Sequence, residues 1–206
     1  MNRIEPKHVR LYVKVELFNP AESVKNRLAA SIIEEAERRG ELRLGQTVVE
    51  ATSGNTGIGL AMVCATKGYR IVVIMTKSRL FTLSVERRRL MRFLGAKVVL
   101  TPLAAKGLGV YQKAEELAQA NGWILARQFE TQDNVKIHED TAARELLADF
   151  KDERLDLWVS GYFTGGTVTG EARILHKERP KARIVLSKPE LAPLLGIGIA
   201  QQRGEH

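Results

Sequence analysis

Short apolar runs return along this chain at intervals that leave room for a helix between each pair, and that rhythm permits few architectures. Thr47–Ala51, Tyr69–Met75, Ala96–Leu100, Trp123–Ala126, Leu155–Ser160 and Ala182–Leu186 each have the length and apolar content of a strand. Between them lie stretches of helical periodicity at Ile58–Lys67, Leu83–Leu94 (closed by Gly95), Val110–Ala120, Val135–Phe150 and Thr167–Lys177. Strands joined through helices return to the same sheet edge and so run parallel, and continuously apolar strands need helices on both faces. The expected class is therefore α/β, with parallel sheets covered by helices on both faces. Ahead of this rhythm, Val9–Leu17 alternates like an extended strand until Asn19-Pro20 breaks it. Ser23 can then cap a helix running to about Arg39, with Gly40 at the position after its end. The tail from Gly196 to His206 shows no clear element.

A chain of 206 residues can build one large domain or two small ones. Its net charge of +8 favours anionic partners without choosing among phosphates, carboxylates and nucleic acid. Aromatic residues are only 6%, which weakens a base-stacking surface. The basic run from Glu86 to Arg92 reads as the solvated face of an amphipathic helix, so no nucleic-acid partner is expected. The single cysteine, Cys64, rules out an intrachain disulfide and reads as a small core hydrophobe. His8, His138, His176 and His206 are too dispersed for a metal site, and none is expected. His138, inside a helical stretch, reads as a surface or satisfied histidine, and Trp123 and Trp158 read as core. The first residues lack the apolar core of a signal peptide, and no apolar run approaches the ~18 residues of a membrane helix. A cytoplasmic chain with no membrane partner is the expectation.

Three segments could carry chemistry. Glu50-Ala51-Thr52-Ser53-Gly54-Asn55-Thr56-Gly57 follows a strand and opens a helix, where unpaired N–H groups and the positive end of the helix dipole attract anions. Gly57-Ile58-Gly59 lacks the rest of a dinucleotide fingerprint, since Met62 stands where a third glycine belongs and no acid ends the next strand. Ser160–Gly170 also joins a strand to a helix, and its Thr164-Gly165-Gly166-Thr167 core is a second phosphate-sized nest. On a parallel sheet both loops fall at the carboxyl ends of the strands. The third segment, Asn19–Arg27, holds Lys25, which becomes nucleophilic if its surroundings lower its pKa.

Asn-Pro-x-x-Ser-Val-Lys-x-Arg (19–27), Glu-Ala-Thr-Ser-Gly-Asn-Thr-Gly (50–57), Ser-Val-Glu-Arg-Arg (84–88), Leu-Gly-Ala (94–96), Gln128-Phe129 and Thr-Gly-Gly-Thr-x-Thr-Gly (164–170) occur in that order. Together they resemble the cysteine synthase (O-acetylserine sulfhydrylase) family, and the similarity covers nearly the whole chain. The chain also resembles the close relative cystathionine β-synthase. The resemblance implies a two-lobed fold-type-II pyridoxal-phosphate architecture. Residues 18–131 would form the smaller lobe, and 1–17 with 132–206 part of the larger one.

The resemblance also implies roles. Lys25 would hold pyridoxal phosphate as a Schiff base and, once displaced by substrate, take the α-proton. Asn55 would bond the ring hydroxyl of the cofactor, and Thr164, Gly165, Gly166 and Thr167 would hold its phosphate. Thr52, Ser53, Thr56 and Gln128 would hold the substrate carboxylate. O-Acetylserine would lose acetate and sulfide would add, giving cysteine, in a chain expected to be a homodimer. The alternatives are a cystathionine β-synthase-like enzyme and a non-catalytic fragment that binds phosphate compounds or a protein partner.

This sequence departs from the family pattern in places. Asn26 stands where the family has an aspartate, and Phe163 where it has a glycine, so a positive φ there would strain the backbone. Thr76–Thr82 is longer than the family loop and lacks its proline. The family's early Gly-Asn-Thr-Pro-Leu segment and its C-terminal portion, with the serine that pairs with the pyridine nitrogen, have no counterpart, so a truncated chain is expected.

Overall fold

The structure, a computed structural model, describes residues 7–52, 54–77, 85–102 and 106–188. Lys25–Arg38 (α1) precedes the series Thr47–Ala51 (β1), Asn55–Lys67 (α2), Arg70–Thr76 (β2), Val85–Phe93 (α3), Lys97–Thr101 (β3), Lys106–Asn121 (α4) and Ile124–Leu125 (β4). Asp133–Ile137 (α5) then runs through a π-type turn, His138–Ala142, into Ala143–Asp149 (α6). Leu157–Gly161 (β5), Gly166–Glu178 (α7) and Arg183–Ser187 (β6) complete the described fold. Ser53, the stretch 78–84 and the tail from 189 onward lie outside it, and with them most of the long loop and the start of the helix expected from Leu83.

The first four strands form one sheet in the order β3-β2-β1-β4, and β5 and β6 form a second. Every pairing is parallel, with Val48 opposite Ile71 and Val49 opposite Val72 in the first sheet. Successive residues of a strand point to opposite faces, and both faces are covered here. Val48, Ile71 and Val73 pack with Leu28 and Ile33 of α1 and Leu60 and Cys64 of α2. Val49, Val72 and Ile74 pack with Val110, Ala114 and Ala118 of α4. Burial on both faces is why β2 reads as an apolar run from Ile71 to Met75 and β1 is apolar but for Thr47 and the buried Glu50. Full burial of Leu28, Ile33 or Leu60 is worth about 1.5–3 kcal/mol each relative to exposure.

Several local expectations are corrected. Val9–Leu17 forms no strand: Val9–Val15 has no assigned element and Glu16–Phe18 is a 3-10 turn. A strand requires a neighbour to receive its N–H and C=O groups, and this segment instead docks through side chains. Tyr12 packs edge-on to Phe150, and Lys14 pairs with Glu145 at 2.6 Å. Trp123 and Trp158 are half-buried rather than core residues. Trp123 packs against the α4 side of the first sheet, while β5 and β6 bury little of their own surface. The expected continuous helix from Val135 contains the π-type turn. Ser23 does serve the start of α1, its hydroxyl accepting the Lys25 N–H at 3.2 Å. Among the described residues no helix is long and apolar enough to cross a membrane.

Candidate active site

The strand order of the first sheet reverses at β1, with β2 and β3 added on one side and β4 on the other. The crevice beyond the carboxyl ends of β1 and β4 is where open parallel sheets bind ligands. Thr52, Asn55 and Thr56 follow β1 and Gln128 follows β4, so residues far apart in sequence meet there. The Thr56 hydroxyl donates to Gln128 Oε1 at 2.7 Å, and both are buried. Gln128 Nε2 donates to Glu50 Oε1 at 3.3 Å and to the Ala51 carbonyl at 3.1 Å, while its backbone N–H reaches Glu50 Oε2 at 3.4 Å. The Gln128 amide is thus saturated within the protein. The Gly57 and Ile58 N–H groups bond the Gly54 carbonyl at 3.0 and 3.3 Å, so the donors that helix geometry leaves for an outside anion at the head of α2 are the Asn55 and Thr56 N–H groups. Thr52 accepts the Gly54 N–H at 3.3 Å, and the Asn55 side chain is exposed at the head of α2.

Glu50 is the residue that sequence reasoning passed over. It is 1% exposed, and burial pushes its carboxyl up to about 7. Its place in an otherwise apolar strand, Thr47-Val48-Val49-Glu50-Ala51, was the available signal.

The second loop leads from β5 into α7. Gly165 stands just before α7 at φ +84°, a left-handed value that suits glycine. The Thr164 hydroxyl accepts Asn134 Nδ2 at 3.0 Å, and the Thr167 hydroxyl lies 3.1 Å from His138 Nε2. Asn134 and His138 are buried on the α5 stretch, so His138 is no surface residue. Burial first, and the Lys25 charge second, hold the His138 imidazole down to about 4, so it is neutral near neutral pH.

Lys25 occupies the first turn of α1, with α2 packed against its carbonyl and the second loop beside its amine. Burial lowers its pKa, and its Nζ lies 5.9 Å from the centroid of the Phe163 ring in the second loop. α2 approaches α1 closely because Gly59 has no side chain, as a Cβ there would lie 3.0 Å from the Lys25 carbonyl oxygen. Phe163 also packs on Phe129, the residue after Gln128, at 5.8 Å between centroids. Among the described residues, non-glycine positive φ occurs at Glu22 and Arg127 and not at Phe163, so the strain considered there is absent. Asn26 is buried beside Lys25. With its amide turned to match its neighbours, Asn26 accepts the Ala21 N–H at 2.6 Å and donates to the Ser23 carbonyl at 3.0 Å. An aspartate could not make the second bond. Of the sequence-derived site residues, Thr52, Asn55 and Thr56 lie at the first loop, Thr164, Gly165, Gly166 and Thr167 at the second, Gln128 follows β4, Lys25 stands in the first turn of α1, and Ser53 is outside the described residues.

A family model described as pyridoxal-phosphate dependent enzyme matches residues 2–205. The chain is 48% identical over 200 residues to an O-ureido-L-serine synthase of Streptomyces lavendulae, covering 96% of this chain and 60% of that protein. It is 44% identical over 197 residues to a cysteine synthase of Staphylococcus aureus, covering 96% and 62%. A crystal structure of O-ureido-L-serine synthase superposes with a TM-score of 0.91 at 47% identity, over 97% of this chain and 62% of that one. The chain thus spans about 60% of the length of the curated relatives it matches.

Proposed function

We propose, from the premise that this chain belongs to the pyridoxal-phosphate dependent enzyme family, that it carries the site of a β-replacement enzyme acting on an O-substituted L-serine. The observation that carries this reading is the placement of the half-buried, pKa-lowered Lys25 amine beside the Phe163 end of the second loop. The residues present fit the cofactor: a desolvated primary amine, a glycine-formed helix start flanked by two hydroxyls, and buried polar atoms facing that start. Lys25 would hold it through its amine, Asn55 would bond its ring hydroxyl, and Thr164, Gly165, Gly166 and Thr167 its phosphate. Bound there, pyridoxal phosphate supplies an electron sink for negative charge at the substrate Cα.

The protein's own groups supply the rest. A lysine with a lowered pKa has a larger neutral fraction, so Lys25 Nζ can take the Cα proton as a general base. The first turn of α2, with Thr52, Ser53 and Thr56, orients the substrate carboxylate, and Gln128 fixes the Thr56 side chain. Phe163, packed on Phe129, lines the space beside Lys25. In the same proposal, residues 18–131 are the smaller lobe, 1–17 and 132–206 belong to the larger one, and the protein is a homodimer.

The reaction we favour is that of cysteine synthase: O-acetylserine loses acetate and sulfide adds at Cβ to give cysteine. The 48% identity to O-ureido-L-serine synthase supports a second reading, with O-ureido-L-serine as product. Absorbance after adding pyridoxal phosphate and removing the excess is the first test. A visible band that shifts with O-acetylserine and is lost in Lys25→Ala is expected. No band in folded protein, or a band that survives Lys25→Ala, refutes the assignment of Lys25. Chromatography of the products distinguishes cysteine from O-ureido-L-serine.

A further inference from the structure

Asn134 and His138 face the head of α7 from the helix packed against it, one turn apart. Asn134 uses both hydrogens of its amide, donating to the Gln128 carbonyl and to the Thr164 hydroxyl, each at 3.0 Å. A Cβ at Gly166 would sit 2.0 Å from Asn134 Oδ1, so the side chain lies directly on the loop backbone. Asn134 and His138 are 2% and 0% exposed, and Asn134 Oδ1 and His138 Nδ1 have no hydrogen-bond partner. These two acceptor-capable atoms are the only buried side-chain polar atoms without a partner among the described residues.

The direction of these bonds has a consequence. A hydroxyl that accepts from Asn134 keeps its own hydrogen free to donate elsewhere. The same holds at Thr167 if His138 carries its proton on Nε2. That tautomer leaves Nδ1 as a bare acceptor, whereas the other would bury an N–H without a partner, and orphaned N–H groups are the rarer of the two. We propose that Asn134 and His138 are positioning residues that fix Thr164 and Thr167 as hydrogen-bond donors toward an anionic phosphate at the head of α7. Neither residue needs to touch the phosphate. Asn134 also ties the Thr164 loop to the Gln128 turn, so the two halves of the site share one side chain.

This inference rests on the pyridoxal-phosphate reading of the site, and its test separates the two. Kd is measured for pyridoxal phosphate and for pyridoxal, which lacks the phosphate, by absorbance or fluorescence titration of the full chain. Asn134→Asp keeps the shape but can only accept when ionised, so it draws the Thr164 hydrogen to itself and adds a negative charge. Pyridoxal phosphate affinity is expected to fall about ten- to a hundredfold, in line with the loss of a hydrogen bond to a charged group. Pyridoxal affinity is expected to stay unchanged. Thr164→Val, which removes the hydroxyl outright, is expected to give the same phosphate-selective loss. In the Thr164→Val background, Asn134→Asp is expected to lose much of its effect.

Equal losses for both ligands, or unchanged pyridoxal phosphate affinity in Thr164→Val, overturn the inference. The second of these arms stands even if Asn134→Asp does not fold. Failure of the unaltered chain to bind either ligand instead refutes the functional reading on which the inference rests.

Discussion

Glu50 gives the pH dependence of folding a sign that can be worked out in advance. Its carboxyl titrates near 4.5 in the unfolded chain and at about 7 when folded, chiefly because burial disfavours the charged form. Between those values the folded chain keeps a proton that the unfolded chain has released. Stability therefore falls as pH rises from about 4.5 to 7, by about 3 kcal/mol, and levels off above. Glu171, buried in α7 and also raised to about 7, acts in the same direction. His138 opposes them. Lowered from 6.5 to about 4, it makes stability rise with pH between those values. The wild-type curve therefore conceals each contribution, and a difference between variants exposes it. Glu50→Gln removes the ionisable group and leaves one Gln128 N–H without its acceptor, at a pH-independent cost of about 1–3 kcal/mol. Urea unfolding of both proteins without cofactor, followed by tryptophan fluorescence at pH 4.5, 6 and 8, yields that difference. The variant is expected to gain about 3 kcal/mol relative to wild type across this range. A difference that does not change with pH would refute the assignment of a buried, late-ionising Glu50.

Two further outcomes follow from packing. Gly59→Ala places a methyl 3.0 Å from the Lys25 carbonyl and 3.1 Å from Ala29 Cβ. Prying α2 from α1 is expected to cost about 1–3 kcal/mol in a denaturant titration and to weaken pyridoxal phosphate binding; unchanged values for both would show that the helices give way freely. Cys64 is fully buried with its thiol pushed up to about 12, so thiol reagents are expected to modify it only as fast as the chain opens. Rapid labelling under native conditions would contradict its place in the core.

The first sheet was legible because its signals are local: apolar runs of strand length, helical periodicity and closing glycines at 40 and 95. β1 was read to the residue, and α2 begins only three residues before the expected Ile58. Val9–Leu17 carried the same alternation and formed no strand, because alternation records an extended chain with two unlike faces and not the presence of a neighbour to pair with. The π-type turn at His138–Ala142 was invisible for a related reason, since a helix of either kind suits those residues and packing decides between them. The site motifs were legible as residue types whose spacing marks helix starts. What joins them was not. Asn134 stands just before the helix expected from Val135 and carries no signal of its own, His138 reads as a surface or satisfied histidine, and only the tertiary packing turns them toward Thr164 and Thr167. Glu50 could have been suspected, since an acid inside an apolar parallel strand must find buried donors.

The α5–α6 segment also serves as a common reference for distance. α1 is fastened to it by the Ser31 hydroxyl on the Asp133 carbonyl, by Arg39 on Asp133, and by Arg27 on Glu145 at 2.7 Å. α7 rests on the same segment through Asn134 and His138. The Lys25 amine and the Thr164–Thr167 loop are therefore gauged from one continuous rod, although 139 residues of sequence separate Lys25 from Thr164. A displacement of that rod carries both along and leaves the span between them unchanged. The spacing that a bound molecule would sense is thereby insulated from movement in the sheets on either side.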